Sequence, residues 1–182
     1  IQYPSKRTGF SFRKIGLMKL FLLGFMGSGK SKLGKKVASQ LTVPFFDLDD
    51  EVEKSAGKSI TELFQESGEE AFRSLESEVL ANIISKNEAF VLSTGGGTPC
   101  FNDNMELMNQ SGKTIYLNVD STILYGRLRT AKKKRPLIAN LSDEELKDFI
   151  EVSLSKRNTF YFHAAVIASE SNMTAKKILD LI

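Results

Sequence analysis

Gly24-Phe25-Met26-Gly27-Ser28-Gly29-Lys30-Ser31 is the stretch that decides the fold. It fits the pattern Gly-x-x-x-x-Gly-Lys-Ser. An apolar run, residues 20–23, precedes it, and Leu33, Val37 and Leu41 follow it at helical spacing. Strand, glycine-rich loop and helix in that order make a phosphate-binding loop. Glycines let backbone N–H groups turn inward around phosphate oxygens, and the helix N-terminus adds partial positive charge. The chemistry assigns Lys30 to the β- and γ-phosphates and the Ser31 hydroxyl to magnesium. The chain is therefore expected to bind a nucleoside triphosphate.

Working outward, four more apolar runs lie at residues 45–48, 90–92, 114–117 and 164–168. Between them the sequence has helical period: Phe72, Leu75, Val79 and Ile83 share one face, Leu146, Ile150 and Leu154 another, and Ile178, Leu179 and Ile182 a third. Ser59-x-x-Glu62 and Ser142-x-x-Glu145 match capping boxes. Alternating helices and near-continuous apolar strands predict an α/β fold, a parallel sheet covered on both faces, with all strand carboxyl ends on one edge.

Three further features converge on that edge. In Phe45-Phe46-Asp47-Leu48-Asp49-Asp50 the two acids Asp47 and Asp49 are two apart, which on a strand gives them one face. One can hold magnesium through water and the other can meet an acceptor hydroxyl, while Asp50 reads as a capping or solvent-facing acid. Gly95, Gly96 and Gly97 follow the third strand, where bare backbone can press against a ligand. Arg73, three residues before Glu76, and Arg157 each sit on the border of an apolar helical stripe; Arg135 lies in a lysine-rich segment before Pro136. Taken singly, each arginine is indistinguishable from a surface residue.

Composition bounds the rest. With 182 residues, 41% hydrophobic and 26% charged, the chain fits one soluble domain, and a single cysteine, Cys100, excludes an internal disulfide. The net charge of +3 is dominated by Lys6, Arg7, Arg13 and Lys14; removing that +4 leaves −1 for the remainder. Residues 1–17 read as a non-native or disordered extension, and residues 18–182 as the single domain. A basic run at residues 132–135 is too short to argue for nucleic acid. His163 reads as a packing residue near a strand start. Cytoplasmic location, a monomer, and neither membrane nor nucleic-acid partners are expected.

In combination, the loop GFMGSGKS, the D-x-D of FFDLDD, the segment FRSLE, the run TGGG, the RPL at residues 135–137 and the late Lys156-Arg157 before a tyrosine resemble the shikimate kinases over residues 18–182. The resemblance implies a three-layer nucleoside-monophosphate-kinase-like fold, a five-stranded parallel sheet of order 2-3-1-4-5 with a mobile lid at about residues 130–141. It implies ATP-dependent phosphorylation of the 3-hydroxyl of shikimate, with Mg2+, in aromatic amino acid biosynthesis. By the same resemblance Asp47 holds magnesium through water with Ser31, and Asp49 contacts the substrate hydroxyl and serves as base. Arg73 and Arg157 clamp the shikimate carboxylate with Glu76 positioning Arg73, and Gly95, Gly96 and Gly97 hold the substrate ring. Gly27, Ser28, Gly29, Lys30, Ser31 and Lys32 bind ATP, Arg135 swings onto the transferring phosphoryl, and Arg129 stacks on adenine. Another small-molecule kinase, for gluconate or a nucleotide, and a catalytically silent ATP-binding regulator remain the alternatives.

Overall fold

The computed structural model describes residues 18–132, 135–170 and 172–182. The expectation for residues 1–17 lies outside them, as do Lys133 and Lys134. In chain order the elements are β1 (Lys19–Leu23), α1 (Lys30–Leu41), β2 (Phe45–Asp47), α2 (Leu48–Ala56), α3 (Ile60–Lys86), β3 (Phe90–Ser93), α4 (Asn104–Ser111), β4 (Lys113–Leu117), α5 (Ser121–Ala131), α6 (Asp143–Tyr161), β5 (Val166–Ala168) and α7 (Ala175–Asp180). Short 3-10 turns occupy Thr98–Cys100 and Pro136–Ile138. The sheet is all parallel with order β2-β3-β1-β4-β5, the order expected.

The apolar runs form strands because both faces of the sheet are covered. Within β1, Phe21 and Leu23 point into one core with Phe90, Leu92 and residues of α2, α3 and α4; Leu20 and Leu22 point into the other with Val91, Ile115, Val37 and Ile178. All four β1 residues are buried, and burial of each side chain is worth about 1.5–3 kcal/mol. A third cluster, Phe25, Leu124, Leu128, Ile138, Leu146 and Ile150, packs α5 and α6 beneath the phosphate loop.

Helix starts follow the sequence signals. Ser59 and Ser142 each accept from the N3 backbone while Glu62 and Glu145 reach back, completing both capping boxes. α3 is broken at Gly68 (φ 78°, ψ 177°), the residue type that tolerates such a backbone. One local expectation is corrected: β2 ends at Asp47 and α2 begins at Leu48. Asp49 therefore sits in the first turn of a helix, so the period-two argument for its direction does not apply. His163, expected to pack, is instead exposed three residues before β5; its backbone N–H donates to the Phe160 carbonyl and its own carbonyl accepts from Asn109. No described helix is long and apolar enough to cross a membrane.

Candidate active site

The loop between β1 and α1 turns because Gly27 and Gly29 occupy the left-handed region (φ 81° and 96°), which side-chain-bearing residues rarely adopt. Leu124 and Leu128 of α5 back it closely at Gly27. Lys30 is buried and donates to the loop's own carbonyls, at 2.8 Å to Gly24 and 3.1 Å to Phe25. Burial lowers its pKa to about 8 against the opposing pull of Asp49 and Asp47. The Ser28 hydroxyl is buried without a partner among the described residues, the state of a donor awaiting an oxygen.

At the foot of the loop the Ser31 hydroxyl donates to Asp47 Oδ2 at 2.5 Å, with Ser93 Oγ at 3.3 Å. These three oxygen donors suit a hard cation. Among the described residues no cluster of three His, Cys, Asp or Glu side chains could hold a metal alone. One carboxylate and two hydroxyls beside a phosphate loop could hold a magnesium ion that arrives with a nucleotide.

Asp49 and Asp47 do share one cleft, with Met26, Lys30, Ser31, Lys32, Thr94, Gly96 and Arg135. Asp49 is exposed because the cleft is open, but the walls crowd water from its carboxylate. That desolvation, then the charges of Asp47 and Glu76, raise its pKa from 3.8 to about 6. A carboxylate tuned toward neutrality is suited to accepting a proton from a hydroxyl.

The three glycines bring the rest together. A Cβ at Gly95 would lie 2.7 Å from Asp49 Oδ1 and 2.9 Å from Glu76 Oε1; at Gly96, 2.9 Å from Arg157 Nη1; at Gly97, 2.6 Å from Arg73 Nη2. Each glycine thus admits a different charged side chain. Glu76, almost fully buried, accepts from Arg73 Nη1 at 2.9 Å and from Thr98 Oγ1 at 2.6 Å. The pair satisfies both carboxylate oxygens, as a buried charge requires. Arg157 lies over the Phe25 ring at 5.2 Å. Tyr161, whose phenol is pushed up by burial and stays protonated, donates to the Gly96 carbonyl. Burial also raises the Cys100 thiol.

Beyond the loop, a second cavity of about 490 Å³ is lined by Gly27, Gly29, Lys32, Lys36, Arg127 and the segment around Met173 and Thr174. Arg127 donates to the carbonyls of Gly27 and Ser28 at 3.0 and 3.3 Å. Arg129 instead pairs with Asp143 at 2.9 Å on the surface and does not line this cavity. Thr98 and Arg127 were not singled out as site residues from sequence, and Tyr161 entered only as the tyrosine that follows Lys156-Arg157. Arg127 alone left a usable signal, being next to Leu128 on the turn of α5 that faces the loop.

A parallel sheet with a phosphate loop after β1, an acid after β2 and a cationic acceptor pocket after β3 defines a P-loop kinase for a small anionic acceptor. The shikimate kinase family model matches residues 26–182. A shikimate kinase from Phocaeicola vulgatus is 46% identical over 161 residues, 88% of this chain and 91% of the relative, and one from Bacteroides thetaiotaomicron is 49% identical over 151 residues, 83% and 86%. A crystal structure of shikimate kinase from Bacteroides thetaiotaomicron superposes with TM-score 0.86 at 43% identity, covering 90% of this chain and 97% of that one. A shikimate kinase from Acinetobacter baumannii in complex with shikimate gives 0.81 at 30% identity, covering 93% and 96%. The chain belongs to the shikimate kinase family.

Proposed function

We propose that the chain transfers the γ-phosphoryl group of ATP to the 3-hydroxyl of shikimate, giving shikimate 3-phosphate and ADP, as a step of aromatic amino acid biosynthesis in the cytoplasm. One observation carries the residue assignment. An acid and two arginines meet at three consecutive glycines beside the phosphate loop, so a hydroxyl and a carboxylate on one small molecule can be held at once.

In this reading the backbone of Gly27, Ser28 and Gly29, with Lys30 and Lys32, holds the triphosphate, and Lys30 leaves the carbonyls of Gly24 and Phe25 to meet it. Ser31 and, through water, Asp47 hold Mg2+, which when bound supplies positive charge at the phosphate oxygens. Asp49 orients the 3-hydroxyl and takes its proton as the oxygen attacks the γ-phosphorus. Arg73 and Arg157 grip the carboxylate, each charged hydrogen bond being worth about 1.5–3 kcal/mol. Gly95, Gly96 and Gly97 keep the ring close to the γ-phosphoryl group. Arg135, which lines the cleft, moves onto that group as the lid at about residues 130–141 covers the site and excludes water. For the adenine side, the cavity lining favours Arg127 as the nearer cation, and Arg129 reaches it once its surface pair with Asp143 opens.

The test is ADP release in a coupled assay with ATP and magnesium, comparing shikimate with gluconate, nucleoside monophosphates and no acceptor. Release with shikimate alone is expected. Release with another acceptor would overturn the roles of Arg73 and Arg157, and ATP binding without release for any acceptor would move the chain to the silent class.

A further inference from the structure

Arg73 is held by more than its carboxylate partners, Glu76 and the more exposed Glu69. The guanidinium carbon lies 4.2 Å from the centroid of the Phe101 ring and 4.9 Å from that of Phe72. Phe72 is its chain neighbour on α3, but Phe101 comes from the corner that leads from the glycine run to α4. That corner is unusual. Asn102 and Asp103 follow Phe101 in the left-handed region (φ 49° and 53°), which residues other than glycine rarely occupy and which Asn and Asp tolerate best. Such a backbone persists only where neighbours hold it.

The holding groups are identifiable, and they lead back to the same turn of α3. Asn102 Nδ2 donates to the Arg73 carbonyl at 3.1 Å and to Ser77 Oγ at 3.0 Å. Asn104, almost fully buried, donates to the same Ser77 hydroxyl at 3.0 Å and to the Thr98 carbonyl at 3.1 Å. The corner therefore grips the backbone of Arg73 with an amide and the head of Arg73 with a ring. Phe101 keeps 37% of its surface exposed, so core packing alone does not account for its position.

We infer that Phe101 is a positioning residue for the substrate carboxylate, acting through Arg73. Its ring packs against one side of the guanidinium while Glu76 holds Nη1 at 2.9 Å. The Nε and Nη2 edge, met in this structure by the exposed Glu69 carboxylate at 3.4 and 3.3 Å, is the edge that the substrate carboxylate takes over. An arginine already confined to one orientation loses less freedom when it binds. This inference rests on the reading of Arg73 as a carboxylate anchor.

The experiment compares Phe101→Leu, Phe101→Tyr, Arg73→Ala and the double variant Phe101→Leu/Arg73→Ala, measuring kcat, KM for shikimate, KM for ATP and thermal unfolding. Phe101→Leu keeps apolar bulk and removes the π face. It is expected to raise KM for shikimate by about 2- to 30-fold, the range a cation–π contact supports, with kcat and KM for ATP unchanged and Tm lowered by only a few degrees. Phe101→Tyr, which restores the ring, is expected to restore KM. In the Arg73→Ala background Phe101→Leu is expected to add nothing. A rise in KM for both substrates, a failure of tyrosine to rescue, or full additivity with Arg73→Ala would overturn the inference. If Arg73→Ala itself bound shikimate normally, the anchor reading would fall, a result distinct from a silent Phe101→Leu with an impaired Arg73→Ala.

Discussion

The donor and acceptor sides of the cleft are built in opposite ways. On the proposed donor side, eight consecutive residues form the loop, and its groups are held provisionally: Lys30 rests on the carbonyls of Gly24 and Phe25, and the Ser28 hydroxyl has no partner among the described residues. On the acceptor side, Arg73, Glu76, Thr98, Phe101, Asn102 and Tyr161 come from three separate segments and are already tied to one another or to the glycine run. A loop of backbone donors can wait for its ligand because phosphate brings charge enough to rearrange it. A clamp made of long side chains has rotamer freedom to lose, so it is tied before the substrate comes.

The strongest way to test that division is at the joint, Asp49, which touches both sides. Asp49→Asn is expected to lower turnover by about 10²–10⁴-fold, the usual loss for a general base, with near-normal ATP binding. Wild-type turnover in this variant would remove Asp49 from the chemistry. In the wild type, kcat/KM for shikimate should fall below about pH 6 as Asp49 takes a proton, and above about pH 8 as Lys30 loses one. The acid limb should vanish in Asp49→Asn. Folding raises the Asp49 pKa, so its contribution to stability is complete below 3.8 and lost as pH rises through about 6. Asp49→Asn should accordingly melt higher than the wild type at pH 7, a gain in stability coupled to a loss of function; an unchanged or lower Tm would contradict the crowded-carboxylate account.

Gly97→Ala addresses the acceptor side alone. Its methyl group would sit 2.6 Å from Arg73 Nη2 and 3.0 Å from the guanidinium carbon, and the guanidinium cannot retreat without leaving Glu76 or Phe101. KM for shikimate should rise about tenfold, the loss of one weaker charged hydrogen bond, with KM for ATP unchanged. A matching rise for ATP would show that the two sides are not separable. The smallest effect is expected from Tyr161→Phe. It removes the bond to the Gly96 carbonyl, costs about 1 kcal/mol, and should lower Tm by about 2–4 °C for a domain of this size, with only a slight change in kinetics.

The same division explains what the sequence made legible. The donor side is contiguous, and strand, loop and helix each carry a local signal, so its residues could be named from spacing. The sheet and both capping boxes were legible for the same reason. The acceptor side depends on contacts between distant residues: Thr98 with Glu76, Asn102 with Arg73, and Tyr161 with Gly96 across 65 positions. No periodicity marks such pairs, and only the combination of motifs in order, as a family resemblance, pointed to Arg73 and Arg157. Asp49 shows a different failure. Its convergence with Asp47 was expected from strand alternation, but the chain turns helical at Leu48, and the two acids meet because a helix begins there.

The outermost strands bear on how the protein behaves in a crowded solution. β2 and β5 form the two edges of the sheet and have three residues each. An unpaired edge invites another chain to add a strand, and the invitation grows with the length and flatness of the edge. Here β2 is cut off by the turn into α2 with Asp49, Asp50 and Glu51 in its first turn, and β5 runs at once into Ser169 and Glu170. Charge placed directly after a short edge strand disfavours the addition of a strand from another chain, so the acid proposed for chemistry, Asp49, stands in a turn whose negative charge also blunts the edge.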